Sequence, residues 1–416
     1  MRQISSRQVA LAALEEWRAG RKFADAILGE RLRTSVLSAA DRAFATELFY
    51  GIIRNLSLLD FWIGQLRSGH LDHDSRDLLR LGLYQLFVLQ TPEHAAIYET
   101  VELARRQNRA LINGVLRNAV RTKANLLQQG DLQNLSVRRS HPQFLIDRWT
   151  GNFGEPETEK LCDWNNSPAP IYARINHLKI SDDDFLTQVG SARYADRDGV
   201  PTNFVCLTNL PNEALADGHC YIQDPSTAAA CSLLDPRPGQ RVLDACAAPG
   251  GKSGYIAELM RNDGFLLSCD RDPLRVATLR ENLGRLGVAI TECRQHDWLA
   301  GDAPAEEAFD AILVDAPCSN TGVMRRRIDV RWRLTPDDFS RMAAGQLEIV
   351  RATVGLLKPG ATLVYSTCSI EPEENEDVVR RVLASFPFLE LVDQVSILPF
   401  RDGFDGAFAA KLIRQL

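Results

Sequence analysis

The sequence predicts a multi-domain protein that combines an all-α helical bundle, a small α+β subdomain and an α/β domain with a doubly wound parallel sheet. Through the first third of the chain, apolar residues recur at the three- and four-residue spacing of helices. From about residue 236, strand patterns alternate with helix patterns, which is typical of a sheet with helices on both faces. The length of 416 residues accommodates two or three domains, and we place them at residues 1–128, 129–223 and 224–416.

The first predicted domain is a compact bundle with its own core. Ser5 or Ser6 can cap its first helix, and Asp41 can cap the next clear one. A further helix is predicted from about Asp77 and stops before Pro92, whose ring cannot continue it. The bundle contains no constellation of catalytic residues, so the chemistry is expected further along the chain.

The second and third predicted domains contain the strands. In the second, Ile171–Asn176 reads as a strand after a turn-rich break. The strands of the third are predicted at Arg241–Ala245, Phe265–Asp270, Ile290–Cys293, Phe309–Asp315 and Ala361–Ser366, with late ones near Glu390–Val392 and Phe408–Ile413. Its helices are predicted at Ser253–Arg261, Pro273–Leu286, Pro336–Leu357 and Glu373–Ala384. In such a sheet, ligands bind at the carboxyl ends of the strands.

The composition is that of a globular protein in a reducing compartment. Hydrophobic residues make up 45% and charged residues 25%, and no window approaches the roughly 18 apolar residues of a membrane span. Glu15 and Glu16 interrupt the apolar start, which therefore reads as a helix and not as a signal peptide. Nine cysteines with no pair at CxxC spacing argue against a disulfide framework and against a zinc site. We expect a cytoplasmic protein with no membrane contact and no metal.

Charge is unevenly distributed along the chain. The net charge of −6 by itself argues against a nucleic-acid partner, yet residues 1–130 hold 18 Lys and Arg against 13 Asp and Glu. The front third is therefore mildly basic on an acidic chain. An RNA partner for that domain is compatible with this distribution, although a solvated surface gives the same imbalance.

The strongest local signal is the segment Asp244–Ser253, which lies between a predicted strand and a predicted helix. Gly250 and Gly251 allow a tight turn and a close approach of the backbone to a ligand. Asp270 ends the next strand, where nucleotide-binding folds place an acid on ribose hydroxyls. The GxGxxG pattern is absent, so a dinucleotide is not favoured.

An NTPase is the rival interpretation of this loop. Gly251–Ser253 has the ending of a Walker A motif, and Ile312–Asp315 resembles a Walker B strand. Cys246 stands where the first glycine of that motif belongs, and Pro249 removes a backbone amide from the loop. A phosphate cradle would be poorly supplied with N–H donors, so the NTPase interpretation is disfavoured.

Two cysteine motifs indicate the chemistry. Asp315–Ser319 (DAPCS) and Ser366–Ser369 (STCS) each follow a predicted strand, so Cys318 and Cys368 belong to the same rim of the sheet. A single cysteine at a strand end is more often a packing residue. Two cysteines at one rim, one of them close to an acid, favour a catalytic role.

A thiol pair with an acid suits methyl transfer to C5 of a cytosine. C5 is a poor nucleophile, but a thiolate that adds to C6 makes C5 enamine-like and able to take a methyl group from a sulfonium donor. A carboxyl group such as Asp315 suits the role of stabilising the adduct at N3, and a base then removes the C5 proton. The cytosine must leave its stack to reach the thiolate.

Nearly the whole chain resembles the bacterial 16S rRNA cytosine-5 methyltransferases of the Sun (Fmu, RsmB) type. The matching segments are Glu47–Arg54, Ile112–Arg117, Gln223–Pro225, Asp244–Ser253, Asp315–Ser319, Thr321–Val323, Ser366–Ser369 and Glu371–Asn375. The resemblance implies a NusB-like RNA-binding domain at residues 1–128. It also implies a Rossmann-like, S-adenosylmethionine-dependent methyltransferase domain at residues 224–416.

The resemblance further implies roles for individual residues. Cys368 is the expected nucleophile, and Cys318 is expected to assist proton removal or product release. Asp315 is expected to contact both cofactor and cytosine, with Asp270 on the ribose and Asp297 near the adenine. The residues expected around the methionine part of the cofactor are Cys246, Ala247, Ala248, Pro249, Gly250, Gly251 and Lys252, the last of which is also expected to reach the cytosine.

The sequence departs from the family in the loop after the first cysteine. Arg327-Ile328 stands where the family has His-Pro, and Asn320 stands where Gly or Ala is common. We place both departures on an RNA-facing loop and not in the cofactor site. The residues predicted to contact RNA there, with a solvated loop around a buried Trp332 as the alternative, are Arg325, Arg326, Arg327, Arg331, Trp332 and Arg333.

The implied function is methyl transfer from S-adenosylmethionine to one cytosine of 16S rRNA, usually numbered 967, in naked or early-assembly RNA. The protein is expected to be a monomer without an obligatory protein partner. A tRNA cytosine-5 methyltransferase is an alternative with the same chemistry. A non-catalytic RNA-binding antitermination factor is another, and it predicts no cofactor affinity. DNA cytosine-5 methyltransferases use the cysteine of the first motif, which would make Cys318 the nucleophile.

Overall fold

The computed structural model describes residues 4–20, 22–195, 203–300 and 308–416, and the chain forms two compact units. The helical unit consists of Met1–Ser167 and Met324–Arg333, and the sheet unit consists of Pro168–Val323 and Leu334–Leu416. The predicted boundary at residue 128 falls inside a helix, and the helices up to residue 166 belong to the helical unit. The division into three domains stays a prediction.

The helical unit is an all-α bundle, as the apolar periodicity predicts. Its helices are α1 (Ser6–Arg18), α2 (Ala24–Thr34), α3 (Ala39–Arg54), α4 (Leu56–Leu66), α5 (His73–Leu83), α6 (Glu93–Leu103), α7 (Arg109–Arg121), α8 (Lys123–Asp131), α9 (Leu135–Arg138), α10 (Gln143–Phe153) and α11 (Glu155–Asn166). Their apolar faces enclose a core that includes Phe49, Trp62 and Tyr84. In the described part of the chain, none of the helices has the length and apolarity that a membrane crossing requires.

Two helix starts lie earlier than the sequence predicts. α3 is capped by Ser38, whose Oγ accepts the Asp41 N–H at 3.1 Å, so Asp41 lies inside the first turn. α5 is capped by Asp72, and Asp77 is a buried residue within the helix that pairs with Arg80 at 2.8 Å. In both helices an earlier side chain already accepts one of the free amides of the first turn.

Residues 324–333 belong to the helical unit although they lie far along the sequence. Ile328 joins the apolar core of the bundle, and Trp332 Nε1–H donates to the Ile53 carbonyl at 3.0 Å. Asp329 Oδ2 accepts the Ala24 N–H at 2.9 Å at the start of α2. These partners are 279 and 305 residues away in sequence, so no local pattern could have predicted the contacts.

Two arginines of this segment are buried, which corrects the prediction that the whole basic cluster faces RNA. Arg331 has no exposed surface and donates to the Ser140 and Asn165 carbonyls at 3.2 Å, as well as to a side-chain amide oxygen at 2.8 Å. The Arg325 guanidinium is also buried and lies 3.8 Å from the ring centroid of Trp164, a cation–π arrangement. Both arginines therefore stabilise the helical unit itself.

Replacing Arg331 by methionine is expected to destabilise the helical unit by about 3 kcal/mol, because its buried acceptors lose their donor. Arg326 and Arg327, by contrast, are exposed. The matched control, Arg327→Met, is expected to change stability by less than about 0.5 kcal/mol. Urea unfolding followed by circular dichroism compares both variants with the parent. Equal stability of the two variants would show that the buried guanidinium contributes nothing.

The sheet unit begins with a small antiparallel sheet. Its strands are β1 (Ile171–Ile175), β2 (Ala192–Tyr194), β3 (Phe204–Leu207) and β4 (Cys220–Ile222), with helices α12 (Asp182–Val189) and α13 (Asn212–Ala216). Among the described residues the strand order is β2-β3-β1-β4, and every pairing is antiparallel. This sheet is the α+β element that the sequence predicts before the larger α/β fold.

The second sheet carries the predicted alternation of strands and helices. Its strands are β5 (Arg241–Asp244), β6 (Phe265–Asp270), β7 (Thr291–Gln295), β8 (Phe309–Asp315), β9 (Leu357–Thr367), β10 (Leu389–Ile397) and β11 (Ala407–Arg414). The helices of this part of the chain are α14 (Ala228–Leu234), α15 (Gly251–Leu259), α16 (Pro273–Leu286), α17 (Pro336–Val354), α18 (Glu376–Ser385) and α19 (Pro399–Asp402).

Within the described residues, the order of this sheet is β10-β11-β9-β8-β5-β6-β7, and the strands from β5 to β9 pair in parallel. The late strand β11 pairs antiparallel with both of its neighbours, β9 and β10, which corrects the prediction of a wholly parallel sheet. Residues 398–406, which join them, are too short for the crossover that parallel pairing needs. The predicted fold class is otherwise confirmed.

The large sheet is covered on both faces. Val242 and Leu313 belong to one apolar cluster, and Leu243 and Ile312 belong to another, as the alternation of side chains along a strand requires. The chain order of the strands reverses between β5 and β8. Open α/β sheets bind ligands at the carboxyl ends of the strands beside such a reversal. A ligand site is therefore expected at the loops that follow β5, β6, β8 and β9.

Candidate active site

The cysteines of the two motifs lie next to each other at the carboxyl ends of β8 and β9. Cys318 Sγ and Cys368 Sγ are 3.3 Å apart. Parallel pairing sets Asp315 opposite Ser366, Cys318 lies three residues beyond the end of β8, and Cys368 directly follows the end of β9. Cys318 is buried, with 6% of its surface exposed, whereas Cys368 is half-buried and borders a cavity. The structure thus brings the two predicted residues together and makes Cys368 the more accessible one.

The Cys318 thiol holds its proton strongly. Its hydrogen bond with Cys368, then burial, then the negative charges of Cys368 and Glu374 raise the pKa of Cys318 well above its usual value. Asn320 Oδ1 lies 3.2 Å from Cys368 Sγ, and Asn320 Nδ2 donates to the Cys318 carbonyl at 2.7 Å. The sequence places Asn320 only on an RNA-facing loop. In the structure it lies against both cysteines, with a φ of +60° that asparagine tolerates.

An ion pair lies beside the cysteines. Lys252 Nζ donates to Asp315 Oδ2 at 2.7 Å, and Ser366 Oγ donates to Asp315 Oδ1 at 2.8 Å. Burial lowers the pKa of Lys252, but the charge of Asp315 and the hydrogen bond to it outweigh burial, so the net pKa is raised. Lys252 therefore stays a cation, and two donors fix the Asp315 carboxylate.

A cavity opens onto these groups. Its lining includes Asp224, Lys252, Asp315, Cys368 and Asp405. Asp224 Oδ1 accepts the Asp405 N–H at 3.2 Å, which joins two loops of the sheet unit. The sequence interpretation gave Asp224 no individual role and missed Asp405. An acid followed by glycine just before a predicted late strand is the sequence signal that could have identified Asp405.

The predicted cofactor-binding loop, Cys246–Lys252, joins β5 to α15. Gly250 adopts a φ of +108°, in the left-handed region that glycine enters without strain. A Cβ atom on Gly251 would lie 2.8 Å from a ring carbon of Tyr221, so this position also requires glycine. Both glycines are therefore needed by the turn itself, which carries the loop backbone along the carboxyl end of the sheet.

Two predicted acids lie at the neighbouring strand ends. Asp270 ends β6 and is buried, and Arg275 lies 3.3 Å from its Oδ2 while also donating to the Ala248 carbonyl at 2.6 Å. The His296 N–H donates to the Asp270 carbonyl at 3.0 Å and so joins the ends of β6 and β7. Asp297 follows directly and is exposed. A glycine turn beside a strand-end acid is how many α/β folds hold the ribose of a nucleoside cofactor.

Asp244 is a buried acid directly before the loop. It has no exposed surface, and Ser253 Oγ donates to its Oδ2 at 2.6 Å. Burial raises the pKa of Asp244 from 3.8 to about 7. The raised value means that Asp244 binds a proton more tightly in the folded chain than in the unfolded one. Its contribution to stability is therefore fully present below about pH 4 and is lost as the pH rises to about 7.

Asp244→Asn is expected to remove this loss of stability. The unfolding free energy of the variant minus that of the parent should therefore increase by about 2 kcal/mol when the pH is raised from about 5 to about 8. Urea unfolding at both pH values measures the difference. The exposed Asp263 supplies the control, because Asp263→Asn should leave the pH dependence of the parent unchanged. The same pH dependence in all three proteins would contradict the raised pKa.

Three known family descriptions match the chain. Residues 4–121 match the NusB family, and residues 141–199 match the RsmF/B-like ferredoxin-like domain. Residues 231–413 match the family described as 16S rRNA methyltransferase RsmB/F. The third match contains every residue of the cysteine motifs, the ion pair and the predicted cofactor loop.

Similar proteins and structures agree with these matches. The probable ribosomal RNA small subunit methyltransferase B of Bacillus subtilis (strain 168) is 34% identical, with 100% of both chains covered. The ribosomal RNA small subunit methyltransferase B of Serratia proteamaculans (strain 568) is 37% identical, over 91% of this chain and 92% of the relative. The crystal structure of PH0851 has a TM-score of 0.79 at 26% identity and covers 99% of both chains. The chain therefore belongs to the ribosomal RNA small subunit methyltransferase B family.

Proposed function

We propose that this chain transfers a methyl group from S-adenosylmethionine to C5 of one cytosine in 16S rRNA, through a covalent bond between Cys368 and C6. The observation that carries the proposal is the 3.3 Å separation of the Cys318 and Cys368 sulfurs beside the Lys252–Asp315 ion pair. The names of the relatives support ribosomal RNA as the substrate class. The proposed form of the substrate is naked RNA, or RNA at an early stage of assembly.

The proposed cofactor site runs along the carboxyl ends of β5, β6, β7 and β8. S-adenosylmethionine supplies a methyl group on a sulfonium sulfur. Its proposed contacts are Asp270 with the ribose hydroxyls, Asp297 with the adenine and the loop Cys246–Lys252 with the methionine part. The two carboxylates fit this cofactor, because their oxygens accept hydrogen bonds from hydroxyl and amino groups. Asp315 ends β8 and also lines the cavity, so it is proposed to contact both the cofactor and the cytosine.

Cys368 is the proposed nucleophile because it is the more exposed sulfur and borders the cavity. Its thiolate forms a bond to C6, and the π electrons of the C5–C6 bond move toward C5 and N3. Both Asp315 side-chain oxygens already accept hydrogen bonds, from Lys252 at 2.7 Å and from Ser366, so the cation Lys252 is the donor available to N3. The hydrogen bond that stabilises N3 is therefore available from Lys252, which keeps its own proton.

Cys318 is proposed to remove the C5 proton after C5 has taken the methyl group. The hydrogen bond and the charge of Cys368 are two of the causes that raise the pKa of Cys318. Once the Cys368 sulfur is bonded to C6 it carries no charge, so these two causes weaken and Cys318 gives its own proton to a water molecule, which leaves Cys318 as a thiolate. The proton then passes from C5 to Cys318 Sγ, the C5–C6 double bond re-forms, and Cys368 leaves as a thiolate.

The test is bisulfite sequencing of 16S rRNA after incubation with the purified protein and S-adenosylmethionine. Protection of a single cytosine supports the reaction, the cofactor and the substrate together. Calorimetry measures cofactor binding independently of the RNA. Binding of the cofactor without a protected cytosine would overturn the rRNA substrate, and the same assay would then be applied to tRNA.

A further inference from the structure

We propose that Glu374 is a positioning residue that holds the Cys318 loop and the Cys368 loop at their working separation, an inference that rests on the proposed function. Glu374 lies in the short 3-10 turn Pro372–Glu374, between β9 and α18. Its side chain has no exposed surface. A buried carboxylate is costly unless hydrogen bonds compensate it, so its partners show what it does.

Its partners are the two residues that directly follow the cysteines. Ser319 donates from its N–H to Glu374 Oε1 at 2.9 Å and from its Oγ to Oε2. Ser369 Oγ donates to the same Oε2 at 2.6 Å. Ser319 and Ser369 are themselves buried, so these bonds are shielded from solvent. A single carboxylate is thus bonded to both cysteine-bearing loops.

The carboxylate is also anchored to the core of the sheet unit. Gln346 Nε2, from α17, donates to Glu374 Oε1 and to the Pro317 carbonyl, each at 3.0 Å. Tyr365 OH, from β9, lies within hydrogen-bonding distance of the Glu374 carbonyl and of Gln346 Oε1, the latter at 3.0 Å, and its single proton serves one of these two oxygens. Glu374 is therefore fixed from two neighbouring elements. A shift of either cysteine loop would break bonds to a group that cannot follow it.

A carboxylate suits this role because it accepts about four hydrogen bonds and offers no donor. A glutamine at the same place keeps one oxygen for the Ser319 and Gln346 N–H donors. Its amide nitrogen then faces two serine hydroxyls, which can rotate and accept. Glu374→Gln therefore preserves the contacts and removes the charge, whereas Glu374→Asp keeps the charge and withdraws the carboxylate by one methylene.

These two variants separate position from charge in the methylation assay. Glu374→Asp is expected to slow methylation by about 10- to 100-fold with an unshifted pH–rate profile. Glu374→Gln is expected to shift the rising limb of the profile to lower pH, because the negative charge of Glu374 is one cause of the raised Cys318 pKa. Glu373→Gln, in the same turn, is the control and should match the parent.

A second readout measures loop position without RNA or methylation. Diamide removes two electrons and two protons from a pair of adjacent thiols, which become a disulfide while diamide becomes a hydrazine. In the parent, mass spectrometry of the peptides is expected to find Cys318 joined to Cys368. In Glu374→Asp this disulfide is expected to form about tenfold more slowly, while Glu373→Asp should match the parent.

The outcomes distinguish the inference from the proposed function. Loss of methylation in the parent, with the disulfide rates as expected, would overturn the proposed function and leave the positioning role supported. Equal disulfide rates in Glu374→Asp and Glu373→Asp would overturn the positioning role. A uniform fall in rate and thermal stability in both Glu374 variants, with neither pH profile shifted, would also overturn it, because a merely structural acid behaves in that way.

Discussion

Replacing Cys368 by alanine is expected to abolish methylation of 16S rRNA, with a loss of about a thousandfold or more, and to abolish the covalent RNA–protein complex. The reason is that Cys368 supplies the only proposed bond between protein and cytosine. Cys318→Ala is expected instead to accumulate the covalent RNA–protein complex, because the adduct forms but the C5 proton is not removed. Denaturing electrophoresis with labelled RNA separates the two outcomes.

The geometry favours this assignment over the reverse one. Cys318 is buried, whereas Cys368 is half-buried and borders the cavity, and a nucleophilic cysteine must be able to reach its substrate. Cys206, a half-buried cysteine on β3, provides the control, and Cys206→Ala should retain full activity. Accumulation of the adduct in Cys368→Ala and its absence in Cys318→Ala would assign the nucleophile as in the DNA enzymes.

The parts of the fold that the sequence predicts well are those defined by nearby residues. Phe265–Asp270 and Pro273–Leu286 are observed with the predicted bounds. Asp272 caps the helix by accepting two amides, and Gly287 ends it in the left-handed conformation, so both boundaries are local. The antiparallel pairing of the last two strands is harder to predict from the sequence, because it depends on which edge of the sheet is free.

The candidate site divides in the same way. Cys318 and Cys368 could be paired from sequence because strands that are neighbours in a parallel sheet present their carboxyl ends together. The contacts of Glu374 with Ser319 and of Asn320 with Cys368 could not be predicted, since contacts across 55 and 48 residues leave no periodic pattern. Arg331 illustrates the converse case, because its position in a basic loop indicates solvent exposure while distant carbonyl groups surround it.

Replacing Asp315 by asparagine is expected to reduce methylation by about 100- to 10,000-fold. A neutral amide cannot form the ion pair with Lys252, so the cation loses the partner that holds it at the proposed cytosine site. The variant also loses the acid–base pair proposed to stabilise N3 of the adduct. Single-turnover methylation rates at saturating RNA measure this loss, and the amount of covalent complex should fall in parallel because adduct formation is the step affected.

Asp310 on the same strand provides a matched control for this loss. It pairs with Lys358 at 2.7 Å and accepts the Arg241 N–H, but it lies at the opposite end of β8. Asp310→Asn should therefore change the methylation rate by no more than about twofold, as expected for a partly exposed ion pair. Equal rates in Asp315→Asn and Asp310→Asn would exclude the Lys252–Asp315 pair as the source of N3 stabilisation. The cytosine would then have to be activated by another group of the cavity, and the carboxylates of Asp224 and Asp405 would be the next to replace.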